Sequence, residues 1–200
     1  MTGPTDYWNH NAAYHPWLVS IAAEHRGDVL DVGCGDGLLA QRLAPVSRSV
    51  TGIDPDPAAI GCAADRLASF RHVTVSQADF QNFRAGERRF DLITFVASLH
   101  HMDLKASLVK ARDLLTPTGD VAVVGCSANK TVRDWVWALM CLAPARIGSR
   151  LHSETRNIGV AVKDPQEGLD DIRSMVDEVL PGASVRRGLY YRYLLRWRNR

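Results

Sequence analysis

The sequence predicts an α/β protein, a mostly parallel sheet with helices on both faces. Three observations carry that prediction. Short apolar runs at Asp28–Val32, Ser49–Ile53, His72–Ser76, Phe90–Val96 and Asp120–Gly125 alternate with helical patterns, the rhythm of successive strand–helix–strand crossovers. The run Phe90–Val96 is apolar almost throughout, as a strand buried on both faces should be. The run ending at Val32 passes straight into three glycines at alternate positions, Gly33, Gly35 and Gly37, and then into the helical pattern Leu38–Leu43. Strand, tight turn and helix in that order build a ligand site at the carboxyl edge of a parallel sheet.

Length and composition bound the rest. The 200 residues fit one domain, 1–200, with a full hydrophobic core. At 46% apolar and 23% charged residues the chain reads as an ordinary globular protein. A net charge of +2 supplies no strong field toward nucleic acid or membrane. No apolar run is long enough to span a bilayer. Cys34, Cys62, Cys126 and Cys141 form no C-x-x-C pair. They read as reduced core thiols of a cytoplasmic protein, not as a disulfide framework or zinc site.

The leader, 1–26, is aromatic. From Tyr14 the apolar spacing through Trp17, Leu18, Ile21 and Ala22 fits a helix, expected either to cap the sheet opening or merely to pack on the core. The glycine turn follows the first strand. A dinucleotide fingerprint would require a third small residue at Leu38, which is large. Acids at Asp31 and Asp36 would repel a pyrophosphate but suit a ligand carrying an ammonium or sulfonium.

The second strand ends at Asp54-Pro55. An acid about twenty residues past the glycines accepts from a ribose diol. The competing role, helix N-cap, falls naturally to Asp56 before Pro57 at the start of a helix over 56–69. After the third strand, Asp79-Phe80 suits an adenine: the carboxylate for the exocyclic amine, the ring for stacking. A helix over 103–115 follows the fourth strand, and Thr116-Pro117-Thr118-Gly119 reads as a turn.

Residues 127–164 interrupt the rhythm. Val132–Ala145 is apolar nearly all round, with Trp135 and Trp137, and a basic-polar run including Arg146, Arg150, His152 and Arg156 follows. This is an inserted lid or an interface segment. Asp164-Pro165 is expected to start an amphipathic helix that ends at Pro181-Gly182. Two strands, Ala183–Gly188 and Tyr190–Arg198, form a closing antiparallel hairpin. The arginines of the last strand read as a solvated strand end, with a nucleic-acid stripe as the alternative.

The residues Asp31 to Gly37, Asp54, Asp79-Phe80, Ser98-Leu99-His100-His101 and Leu114–Gly119 together resemble class I S-adenosylmethionine (SAM) dependent methyltransferases, in their small-molecule "type 11/12" branch. The resemblance implies a Rossmann-like seven-stranded sheet, order 3-2-1-4-5-7-6 with the seventh strand antiparallel. It implies SAM as cofactor and S-adenosylhomocysteine (SAH) as product. The cofactor residues it implies are Asp31, Gly33, Cys34, Gly35, Gly37, Asp54, Pro55, Asp79, Phe80, Val96 and Ala97.

The methyl acceptor is then expected beyond the fourth strand, near residues 97–102. An oxygen or nitrogen acceptor must lose a proton, and imidazole titrates near neutral pH. His100 and His101 are the candidate bases there, with His15 and His10 of the leader. Tyr7, Tyr14, His101 and Trp135 are candidate substrate contacts. No Asn/Asp-Pro-Pro-Tyr run of amino-methylating enzymes and no acid at the end of the fourth strand are present, so a metal-free enzyme acting on a small metabolite is expected, as a monomer or homodimer. RNA methylation, a non-catalytic SAM-binding partner module and non-methyl chemistry on the same cofactor are the alternatives.

Overall fold

The computed structural model describes residues 6–152, 155 and 164–199. Seven strands form one sheet: β1 (Asp28–Val32), β2 (Ser49–Asp54), β3 (Val73–Gln77), β4 (Phe90–Val96), β5 (Leu115–Gly125), β6 (Ser184–Arg187) and β7 (Tyr193–Arg198). Their order in space is β3-β2-β1-β4-β5-β7-β6, the predicted one. Strands β1 to β5 pair in parallel, and β7 runs antiparallel to both β5 and β6.

The period-two pattern of the strands divides the core. Leu30 and Val32 of β1, Ile93 and Phe95 of β4, and Val121 and Val123 of β5 face one layer. Val29, Leu92, Ala122 and Val124 face the other. Helix α1 (His15–His25), α2 (Leu38–Leu43) and α3 (Pro57–Leu67) cover the second face through Leu18, Ile21, Leu39, Leu43 and Leu67. Helix α4 (Leu104–Asp113) and α6 (Leu169–Val179) cover the first through Leu108, Ile172 and Val176. Each such side chain contributes about 1.5–3 kcal/mol by leaving water.

Helix ends follow local chemistry. Asp56 accepts from the Ala58 N–H at 2.8 Å and caps α3, with Pro57 in its first turn. Asp103 accepts from the Ala106 N–H at 2.7 Å and caps α4.

Several boundaries differ from expectation. The expected turn at 116–119 lies inside β5 as a bulge: Phe90 pairs with Leu115 and Leu92 with Asp120, so β5 carries the extra residues. Helix α5 (Val132–Leu151) extends past the apolar segment Val132–Ala145 into the basic-polar run, with Pro144 inside it. Buried Cys141, Ala145 and Gly148 continue one packed stripe past the proline, which offsets the helix bond it removes. Helix α6 starts at Leu169, not at Asp164-Pro165. Ala128 donates to the Glu167 carbonyl and bridges Gly168, which holds that stretch extended until Asp171 caps the Gly168 N–H at 3.0 Å. β7 starts at Tyr193 because Tyr190 and Tyr191 have φ of 57° and 60°, outside the strand region.

The arginines of β7 are not a solvated end. Asp120 of β5 is fully buried and accepts from Arg196 Nε at 2.8 Å and Arg198 Nε at 2.7 Å, while Glu24 of α1 binds both guanidinium groups. Burial pushes the Asp120 carboxyl up, but the hydrogen bonds from Arg198 and Arg196 outweigh it and hold it below the usual range. Of the cysteines, Cys34 and Cys141 are buried as expected, whereas Cys62 is exposed; all four are free thiols.

Helix α5 stands apart from both core layers. Its amino end is held by a capping box between Thr131 and Asp134 and by an ion pair from Arg187 of β6 to Asp134. Trp137 Nε1 donates to the Gly188 carbonyl at 3.2 Å. Its outward face leaves Trp135, Leu139 and Met140 more than half exposed. Arg156 of the basic-polar run lies outside the described residues. No helix among the described residues is long and apolar enough to cross a membrane.

Candidate active site

The carboxyl ends of β1, β2 and β4 open into a cleft of about 660 Å³. The turn after β1 forms its floor. Gly33, Gly35 and Gly37 have φ of 73°, 54° and 81°, the left-handed region that glycine enters without steric cost. At Gly33 space also decides: a Cβ there would stand 2.4 Å from Ser98 Cβ. The turn is pinned by Gly33 and Cys34 N–H groups donating to the Ile53 carbonyl at 2.8 and 3.1 Å.

Two carboxylates face this floor. Asp54 accepts from the Gly35 N–H and the Asp56 N–H, both at 2.9 Å, so it joins the turn to the end of β2. Asp31 is 1% exposed; its Oδ1 accepts from Thr94 Oγ1 at 2.8 Å, and its Oδ2 has no hydrogen-bond partner. Burial pushes the Asp31 carboxyl up to about 7, against the Thr94 hydrogen bond and with help from the nearby Asp54 charge.

The third acid is spent differently from expectation. Asp36 binds Arg66 at 2.7 Å, and the Tyr7 hydroxyl donates to it at 3.0 Å. The guanidinium of Arg66, 3% exposed, neutralises it, so Asp36 is no free attractor for a ligand cation. Arg42 fastens the leader above: it donates to Asp6 at 2.6 Å and to His15 Nδ1 at 3.1 Å. This network, which brings Tyr7, Asn9 and His10 to the cleft wall, was missed in the sequence because its partners lie 27 to 36 residues apart.

The opposite wall is the segment after β4. Ala97 has φ 51°, a costly conformation for a residue with a Cβ. It is held by its N–H to the Val124 carbonyl at 2.8 Å and by the next residue, Ser98, whose hydroxyl donates to the Val32 carbonyl at 2.6 Å. The chain then folds so that His100 and His101 both line the cleft, ring centroids 4.2 Å apart.

The predicted site residues divide. Asp31, Gly33, Cys34, Gly35, Asp54, Pro55, Val96 and Ala97 line one cleft with Tyr7, His10, His15, His100 and His101. Gly37 shapes the turn without lining it. Asp79 is exposed and accepts from the Gln81 N–H at 2.8 Å. Phe80 is a correction: its ring is buried in the core, edge-on to Phe95 at 5.4 Å, and does not stack over the cleft. Tyr14 is turned away too, donating to the Leu189 carbonyl at 2.7 Å, and Trp135 projects outward from α5. Asn9, Asn11, Ser98, Cys126 and Arg192 line the cleft unforeseen. Only Ser98 sat in a motif that could have signalled it.

The chain matches the family described as a methyltransferase domain over residues 29–119. An uncharacterized methyltransferase of Mycobacterium tuberculosis (strain H37Rv) is 35% identical over 96% of both chains. The chain belongs to the class I SAM-dependent methyltransferases. A ubiquinone biosynthesis O-methyltransferase of Thiobacillus denitrificans is 32% identical over 67% of this chain and 62% of its own. Among solved structures, the N-methyltransferase NodS of Bradyrhizobium japonicum in complex with SAH aligns at a TM-score of 0.63, 21% identity, over 96% of this chain and 88% of that one. The PH0226 protein of Pyrococcus horikoshii aligns at 0.68, 18% identity, over 94% and 89%.

The cleft of this methyltransferase fits its cofactor. The unpartnered Asp31 Oδ2 offers a buried acceptor to a cationic group, and the Cβ-free turn leaves room for close approach of a ligand to backbone. Among the described residues, no group of three or more His, Cys, Asp or Glu comes together that could hold a metal ion.

Proposed function

We propose that this methyltransferase methylates an oxygen or nitrogen of a small-molecule metabolite, without a metal, and that a histidine of the cleft takes the acceptor's proton. The observation that supports this reading is that one cleft joins the Gly33–Gly37 turn to the His100–His101 pair. SAM, when bound, supplies a methyl group on a sulfonium, activated for in-line displacement. The chain's own residues then position and exclude water. Asp54 takes the ribose hydroxyls, Asp31 the cationic end, and Asp79 the adenine amine. Val96 and Ala97 hold the wall against which the acceptor lies.

The four candidate bases are not equal. His15 is 5% exposed, and burial, then the Arg42 charge, depresses its pKa to about 3. Arginine only donates, so its Nδ1 is an acceptor and the ring a neutral strut. His10 stacks on Tyr190 at 4.9 Å. His100 and His101 follow the strained Ala97 on the short segment after β4 and are the favoured pair. The relatives named as O- and N-methyltransferases support both accepting atoms. The pairing of Arg196 and Arg198 with Asp120 and Glu24 speaks against RNA as acceptor.

The test is SAH release on a panel of phenols, hydroxy acids and amines, run on the wild type and on His10, His15, His100 and His101 alanine variants. Full turnover in all four variants would sink the histidine base. Loss of activity with a chelator, restored by magnesium, would contradict the metal-free reading.

A further inference from the structure

A second cavity, of about 430 Å³, adjoins the cleft. Leu142, Ala145, Arg146, Ser149 and Arg150 of α5 form one wall, and His10 and Tyr191 close it. His10 lines both cavities and is their common wall.

Among the described residues, nothing compensates the charge in this second cavity. Arg146 and Arg150 stand one helical turn apart, where like charges repel. Neither side chain makes a hydrogen bond or ion pair with another described residue, and none of the described residues lining the cavity is a carboxylate. The arginines around the cleft behave otherwise: Arg42 binds Asp6, Arg66 binds Asp36, and Arg192 donates to Asn11 Oδ1 at 2.8 Å. The remaining wall is mixed. Leu142, Ala145 and the Tyr191 ring are apolar, and the Ser149 hydroxyl lies 3.3 Å from His10 Nε2.

Two guanidinium forks beside an apolar wall match a doubly charged phosphate on an alkyl stem. We infer that this cavity is a subsite for a phosphate monoester carried by the methyl acceptor at the end remote from its accepting atom. The inference rests on the methyltransferase reading above and narrows its substrate class. The acceptor is then elongated, its reacting end beside His100 and His101 and its anionic end at Arg146 and Arg150, passing His10. The phosphate has two sources of the same chemistry, a soluble phosphate ester or a phospholipid headgroup.

The experiment is calorimetric titration of the full chain with hexyl phosphate, hexanoate and 1-hexanol, with and without SAH, on the wild type and the R146Q/R150Q variant. Both substitutions are at exposed positions outside the cleft, and SAH affinity reports that the variant is folded. Hexyl phosphate should bind the wild type and lose about 30-fold or more in the variant, with SAH affinity unchanged in both. Equal binding of hexyl phosphate and 1-hexanol, or a variant that binds like the wild type, overturns the subsite. Tighter binding of hexanoate overturns its assignment to phosphate. Co-sedimentation with phosphatidic acid vesicles without binding of hexyl phosphate assigns the arginines to a lipid surface and also overturns it. Absence of SAH binding tells against the cofactor reading instead, because the alkyl phosphate is titrated without SAH as well.

Discussion

Thr94 of β4 donates its hydroxyl to one carboxylate oxygen of Asp31 on β1, 2.8 Å away, and leaves the other oxygen buried and unpartnered. One hydrogen bond does not offset full burial, so the Asp31 carboxyl rises to about 7. A cation placed at the free oxygen favours the ionised form. The affinity for SAM should therefore rise as pH increases through about 7 and flatten above it, with proton release on binding below that point. Calorimetry in buffers of different ionisation enthalpy measures both. Asp31→Asn should weaken binding and remove the pH dependence.

The same group acts on folding with the opposite sign to most carboxylates. Its pKa is higher folded than unfolded, so the folded chain binds the extra proton. Stability of the ligand-free protein should fall between about pH 4 and pH 7 through this group, and Asp31→Asn should remove that part of the slope. Urea unfolding across this window reads it.

Gly33→Ala combines a left-handed φ with a Cβ 2.4 Å from Ser98. The substitution should cost about 1–3 kcal/mol of stability and abolish SAH binding by displacing the turn. Gly61→Ala, inside α3 where a Cβ meets nothing within 4 Å, is the control and should raise stability by about 0.5–1 kcal/mol while leaving SAH binding unchanged.

His15 and the His100–His101 pair separate on two axes. His15→Ala should lower stability by about 1–3 kcal/mol, since Arg42 loses a buried partner, and leave the pH profile of turnover in place. Replacing the histidine that acts as base should reduce kcat by about 100-fold or more with little change in thermal midpoint. Parallel melts and pH–rate profiles on the four variants distinguish them.

Asp120→Asn tests the charge cluster joining α1, β5 and β7. Removing one charge from a buried, paired group costs about 3–5 kcal/mol, and SAH affinity should not move. Because the Asp120 pKa is depressed in the fold, its contribution is present above the ordinary carboxylate range and is lost as pH falls below it. Glu24→Gln removes a neighbouring negative charge that shares the same two guanidinium groups, so the Asp120 contribution should persist to lower pH in that background.

What the sequence made legible is what local chemistry fixes. Phe90–Val96 is bounded by Arg88-Arg89 before it and by Ala97-Ser98 after it, and the strand has those bounds in the structure. Asp56 caps α3 at the end of β2 as the adjacent Pro57 implied. The misreadings are contacts between distant residues. An aromatic after a strand does not reveal which way its ring turns, and Phe80 turned to Phe95. Asp36 found Arg66, Tyr14 found Leu189, and α5 ran on past Ala145 because of packing on its buried stripe. The outward tryptophan of α5 looked like a site residue because hydrophobicity alone does not say which face of a helix is covered.

The strand order has a consequence for assembly. β7 is last in sequence but lies between β5 and β6 in space, so the sheet cannot close in the order in which it is synthesised. Until Arg196 and Arg198 arrive, Asp120, midway along β5, lacks its two arginine partners, and the β5 edge from Asp120 to Gly125 presents unpaired amides and carbonyls. That charge makes the waiting edge hydrated and poor at pairing with another chain. The acid that later anchors the native sheet thus also guards the unfinished one.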